Sequence, residues 1–141
     1  MTPAGSFLAQ WALMKLLLDT HTFLWLDGNP ERLSATALAA CEDPSNQLYL
    51  SVVSAWEIQI KYQIHRLELD VPLEEMIQGQ RDANDLSMVP VELHHIYALQ
   101  QLPLHHHDPF DRLLIAQAKA EQMRLVSADG QFGPYVVDLI W

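Results

Sequence analysis

The sequence predicts an α/β fold, a three-layer α/β/α sandwich around a central, mostly parallel five-stranded sheet. Three observations carry the prediction. Five short apolar runs of strand length occur at residues 15–18, 48–53, 88–91, 124–127 and 135–140. Helix-patterned segments separate the first four, and strands that alternate with helices pair in parallel under helices on both faces. Acidic residues stand where apolar runs meet a turn or helix start, and the carboxyl edge of a parallel sheet is where such folds build their sites.

Each element follows from local chemistry. Lys15-Leu16-Leu17-Leu18 is a buried strand closed by Asp19. Residues 20–26 are helical and stop at the turn signal Asp27-Gly28-Asn29-Pro30. Residues 34–42 form a helix with Ser34 as N-cap. Residues 48–53 are the second strand, and Ser54 opens a helix that runs to about residue 65. Residues 73–83 are helical, with Pro72 near the first turn, where a missing N–H is tolerated. Residues 88–91 make a third strand interrupted by Pro90, which cannot donate to a ladder and so marks an edge. Residues 92–100 are helical. A polar loop over 103–107 precedes a helix over 109–122, and residues 124–127 and 135–140 complete the sheet. Residues 1–13 read as an N-terminal extension, with Met14 as a candidate natural start, and residues 14–141 as one domain.

Composition narrows the class. At 141 residues, half of them apolar, the chain buries a core without staples. A single cysteine, Cys41, makes no internal disulfide and fits a reducing compartment. No apolar run reaches membrane-spanning length, and no cationic start precedes an apolar core, so a cytoplasmic location is expected. The net charge of −10 argues against nucleic-acid binding by charge alone. A cation in the site or a basic partner would offset it locally.

Four acids are the candidate site: Asp19, Glu57, Asp111 and Asp129. Taken singly, each has an ordinary role. Asp19 caps the helix that begins at Thr20, and Ser54-Ala55-Trp56-Glu57 reads as a capping box. Asp108-Pro109-Phe110-Asp111 opens a helix, and Asp129-Gly130 is a turn dipeptide. Jointly they are better explained as carboxylates gathered at one sheet edge. Crowded carboxylates repel unless a cation sits among them, and an all-oxygen set suits Mg²⁺ or Mn²⁺.

The segments Leu16-Leu17-Leu18-Asp19-Thr20-His21-Thr22, Ser54-Ala55-Trp56-Glu57-Ile58, Asp108-Pro109-Phe110-Asp111-Arg112-Leu113-Leu114-Ile115-Ala116-Gln117 and Leu125-Val126-Ser127-Ala128-Asp129 closely resemble PIN-domain proteins. In particular they are similar to the toxin ribonucleases of VapBC-type toxin–antitoxin systems, over roughly residues 14–141. The resemblance implies a PIN-like sandwich and metal-dependent endoribonuclease activity on tRNA or ribosomal RNA. It also implies an antitoxin partner and a homodimer. Asp19, Glu57, Asp111 and Asp129 become the metal-holding and catalytic quartet, with Asp19 central. Asp108, Thr20 and Ser127 stand beside quartet members as auxiliary candidates.

Arg112, Lys61 and His107 are candidate RNA contacts, although Lys61 also sits i,i+4 from Glu57 for an ordinary surface pair. Lys119 is a further basic residue on the helix after Asp111. His105-His106-His107 reads as a solvated loop, because consecutive side chains rarely converge on one ion. Trp25 and Trp56 lie on apolar helix faces and are expected in core or interface packing. A haloacid-dehalogenase phosphatase needs a second acid where His21 stands. A receiver domain needs a late lysine, and none follows Lys119. The rival to an enzyme is a non-catalytic metal-binding PIN module that acts through antitoxin binding and operon regulation.

Overall fold

The computed structural model describes residues 14–104, 108–133, 135 and 137–141. The N-terminal extension and His105, His106 and His107 lie outside these residues. The elements are β1 (Lys15–Leu18), α1 (Thr20–Gly28), α2 (Ala35–Glu42), β2 (Gln47–Ser51), α3 (Val52–Gln63), α4 (Leu73–Asn84), β3 (Ser87–Val89), α5 (Leu93–Ala98), α6 (Pro109–Ala120), β4 (Arg124–Val126) and β5 (Leu139–Ile140). Short 3-10 turns at Pro30–Arg32, Leu99–Gln101 and Gly130–Phe132 join them. The sheet order is β3-β2-β1-β4-β5, and every described pairing is parallel, which sharpens the expected "mostly parallel" to all.

Alternation along β1 divides the core into two layers. Leu16 and Leu18 join Leu48, Leu50 and Val126 beneath Phe23, Ala37, Ile58 and Met76 of α1 to α4. Leu17 faces the other way, with Leu125, and packs under Leu114, Ile115 and Ala118 of α6. Both faces of a parallel sheet are therefore covered, as its apolar runs require.

Boundaries moved where tertiary contacts outweighed local preference. The second strand ends at Ser51, and α3 starts at Val52 instead of Ser54. Ser51 is the cap: its Oγ accepts from the Val53 N–H at 3.1 Å and donates to buried Gln117 Oε1 at 2.5 Å. The two β-branched valines read as strand, but a capped start places Val53 in the core and leaves Val52 at the surface. β3 stops before Pro90, as a residue without an N–H dictates, and it is an edge strand as expected. The Pro90 carbonyl accepts from Gln117 Nε2 at 3.2 Å. β5 is only Leu139–Ile140, shorter than the apolar run 135–140, because Tyr135 is buried against the α6 side of the core instead.

Candidate functional site

The site is built on the central strand pair. Register sets Leu18 opposite Val126, so the residues after them, Asp19 and Ser127, emerge side by side at the carboxyl edge. The Asp19 N–H donates to the Val126 carbonyl at 3.2 Å, and buried Thr22 Oγ1 donates to the same oxygen at 2.9 Å. The start of α1 is thereby pinned to the end of β4.

Asp19 is the N-cap of α1, as local reading expected, but its second oxygen does more. Oδ1 accepts the Thr22 N–H at 2.7 Å, and Oδ2 accepts a short hydrogen bond from Ser127 Oγ. Ser127 Oγ in turn accepts the Asp129 N–H at 3.0 Å. One serine thus couples the first acid to the backbone of the last. Asp19 is only 6% exposed.

Glu57, 7% exposed, lies on α3 facing the same region. The expected capping box is absent, since Ser54 sits inside α3 and not at its start. The Glu57 carboxylate is held elsewhere: Oε1 accepts from Thr20 Oγ1 at 2.7 Å, and Oε2 pairs with Lys61 Nζ at 2.9 Å. Ser54 Oγ lies 3.1 Å from the Thr20 hydroxyl. One hydroxyl carries one proton, and the shorter, charge-assisted contact to the carboxylate takes it. Adjacent residues Asp19 and Thr20 therefore reach in two directions, to β4 and to α3. Ser54 and Thr22 complete this network and were not singled out from sequence, because their partners are remote in the chain.

Asp108 is the N-cap of α6, with Oδ1 accepting from the N–H groups of Phe110 at 2.8 Å and Asp111 at 3.2 Å. Asp111 is half-buried in the first turn of α6. That turn meets α3 through Phe110 and Trp56, the residues just before Asp111 and Glu57, with ring centroids 5.3 Å apart. Of the two places expected for Trp56, core or interface, the core is ruled out, as the residue is 62% exposed. Asp129 is half-buried and follows Ser127 at the end of β4.

The basic candidates divide. Lys61 forms the i,i+4 pair with Glu57. Arg112 bonds the Pro103 carbonyl at 2.8 Å and the Leu99 carbonyl at 3.3 Å, clipping α6 to the segment after α5. His107 lies outside the described residues, and Lys119 is exposed on the last turn of α6.

A second cluster of potential ligands lies away from these acids, where Glu121 Oε2 stands 2.9 Å from both His94 Nε2 and His95 Nε2. The Glu92 N–H donates to His95 Nδ1 at 3.0 Å, so the ring proton of neutral His95 is on Nε2 and points at Glu121. A metal-ligating imidazole needs the opposite arrangement, its other nitrogen donating. This cluster therefore reads as a hydrogen-bonded tie between α5 and the end of α6. Hydrogen bonds from His95 and then His94 hold the Glu121 carboxyl below its ordinary range.

The donor set of the acid site is all oxygen. Among the described residues each carboxylate oxygen of Asp19 and Glu57 has one protein partner, and a carboxylate oxygen has lone pairs for two contacts. The set fits a hard divalent cation and is a poor match to zinc or copper.

The family described as PIN domain matches residues 16–135. The chain is 30% identical over 116 residues to "Ribonuclease VapC22" of Mycobacterium tuberculosis (strain ATCC 25618 / H37Rv), covering 81% of this chain and 86% of that protein. Among solved structures it resembles a chain of VapBC2 from Rickettsia felis, crystallised with a DNA fragment from its promoter. The TM-score is 0.65 at 15% identity, over 89% of this chain and 97% of that one. It also resembles a chain of FitAcB from Neisseria gonorrhoeae, with TM-score 0.56 at 15% identity over 88% and 95% of the two chains.

Proposed function

The chain belongs to the PIN-domain family, and from that premise we propose that it is a metal-dependent endoribonuclease, the toxin of a toxin–antitoxin pair. The observation that supports this reading is that Asp19, buried at the end of β1, accepts from Ser127, while the adjacent Thr20 donates to buried Glu57, so both carboxylates are held by hydroxyl groups at the carboxyl edge. Buried carboxylates are costly unless they are hydrogen-bonded and charge-compensated. Here one cation, Lys61, serves Glu57, and Asp19 is met by neutral donors.

Asp19, Glu57, Asp111 and Asp129 would hold Mg²⁺ or Mn²⁺. A bound divalent cation acidifies water and neutralises charge on the attacked phosphate. The protein's own contribution is orientation and proton transfer. Ser127 and the Thr22 N–H hold Asp19 in one rotamer, and Thr20 does the same for Glu57. Glu57 or Asp129 accepts the proton of the attacking water. Water adds to phosphorus, the P–O3′ bond breaks, and the products carry a 5′-phosphate and a 3′-hydroxyl. Asp108 supports the site through the α6 cap.

The expected substrate class is structured RNA such as tRNA or ribosomal RNA, and the partners are a cognate antitoxin and a second copy of the chain. Residues 14–141 would form the single PIN domain behind a short extension. Among the described residues no helix is long and apolar enough to cross a membrane; the proposed site of action is the cytoplasm. The ribonuclease name of the relative and the toxin–antitoxin complexes among the structural neighbours support this reading.

The test is cleavage of total tRNA and ribosomal RNA by antitoxin-free protein in Mg²⁺, Mn²⁺ or EDTA, beside Asp19→Asn. Discrete products that need metal and vanish in the variant are expected. Full activity of a folded Asp19→Asn would sink the assignment. A second reading, a non-catalytic metal-binding module that works through antitoxin binding and operon regulation, draws on the neighbours solved with promoter or IR36 DNA. Metal binding without cleavage of any RNA would favour it.

A further inference from the structure

A ribonuclease with net charge −10 has to hold an anionic substrate with few cations. Eight Lys and Arg residues face eighteen acids, and the basic residues that follow Glu57 and Asp111 within a helical turn are engaged. Lys61 pairs with Glu57, and Arg112 bonds backbone carbonyls. Phosphate attraction alone is therefore weak here. Base stacking on an aromatic ring needs no charge and tolerates any sequence.

The geometry points to Trp56, backed by Phe110, as a stacking platform for an unpaired RNA base beside the cleaved phosphate. The inference rests on the nuclease reading above for the nature of its ligand. Trp56 directly precedes buried Glu57 and is itself 62% exposed. Phe110 directly precedes Asp111 and meets the indole edge-on, with ring planes at 69°. A T-shaped contact restrains the indole from one side, and most of its remaining surface faces solvent. The ring is thus braced on one side and open on the other, and its contact with Phe110 links the two helices that carry Glu57 and Asp111. A solvent-exposed tryptophan in such a place is otherwise unfavourable, and a base would cover it.

The test uses full-length protein and two readouts. Anisotropy measures binding of a short labelled oligoadenylate and of its abasic analogue, and steady-state kinetics measures cleavage of total tRNA and ribosomal RNA. Trp56→Ala should weaken oligoadenylate binding and raise KM by roughly five- to hundredfold, with kcat little changed, while abasic binding stays as in wild type. Trp56→Phe, which keeps a ring, should recover most of the loss, and Phe110→Leu should show a smaller effect. Equal KM and equal oligoadenylate affinity in Trp56→Ala would overturn the platform while leaving the nuclease reading intact. Trp56-dependent oligoadenylate binding without cleavage would keep the platform and sink the nuclease reading. A fall in molecular mass of Trp56→Ala by light scattering, with RNA affinity per chain unchanged, would assign the ring to a protein interface and overturn the proposal. Wild-type protein that binds neither oligonucleotide would overturn it as well.

Discussion

Thr20→Val removes one buried hydroxyl from the site and little else, since the two side chains are nearly isosteric. In wild type that hydroxyl sits 2.7 Å from Glu57 Oε1, and both residues are more than nine-tenths buried. A hydrogen bond to a charged group contributes about 1.5–3 kcal/mol, and the stranded carboxylate oxygen recovers little of that from water. For a domain of this size the loss corresponds to a fall in Tm of roughly 5–12 °C. Lys61→Met, which removes the other Glu57 partner, should cost only about 0.3–0.5 kcal/mol, because the ammonium is well exposed and water replaces it. The neutral hydroxyl should therefore outweigh the salt bridge. Thermal melts of both variants, and of Thr20→Val in a Glu57→Gln background, test the reasoning. Charge-assisted bonds are about twice as strong as neutral ones, so the Thr20→Val cost should be about halved once the carboxylate is replaced by an amide. A cost equal in both backgrounds, or a Lys61→Met loss as large as the Thr20→Val loss, would refute the assignment of that bond as the Glu57 anchor. Cleavage should also fall in Thr20→Val through kcat, as Glu57 loses its fixed orientation.

Other expectations follow from single contacts. Asp108→Ala removes the α6 cap and should cost about 1 kcal/mol, with Asp108→Asn close to wild type by chemical denaturation. Glu121 has a carboxyl held low by His95 and His94, so its contribution is present above the unfolded pKa and lost as pH falls through the folded one. Glu121→Gln should thus be less stable than wild type at neutral pH, and the gap should close as pH falls below the ordinary glutamate range. A gap that does not change on acidification would contradict the tie. Burial, and then the neighbouring Glu42 charge, push the Cys41 thiol up to about 11. Cys41 should resist alkylation at neutral pH until the chain is unfolded, and rapid labelling of native protein would contradict its placement on the buried face of α2. Its thiol also favours the folded state less as pH rises above the ordinary cysteine range, so wild type should lose stability there relative to Cys41→Ala.

Local chemistry was legible wherever one segment decides its own structure. Leu16, Leu17 and Leu18 could only be a strand buried on both faces, and β1 spans the residues expected. Asp19, Ser34 and Asp108 cap the helices they precede, since a cap bond closes within three residues. Pro90 ended an edge strand for want of an N–H. The boundary at Ser51 was misread because Val52 and Val53 favour a strand, while the bond that settles the matter comes from Gln117, sixty-six residues away. The choice between core and interface for Trp56 was open for a similar reason: periodicity says which residues are apolar, not which of them α6 leaves uncovered.

The sequence by itself determined the fold class, the family resemblance and the four acids, because apolar periodicity, caps and a specific run of residues are properties of short stretches. Only the tertiary structure decided how those acids are held. Ser127 reaches Asp19 across 108 positions, and Thr20 reaches Glu57 across 37. Such pairings exist only after the strands take their order in the sheet, and nothing in either local segment encodes the distance between them. The same is true of Arg112, which anchors α6 to the Pro103 and Leu99 carbonyls, and of the open indole of Trp56. Residue type sets what a side chain is able to do, and packing sets which of its capacities is used.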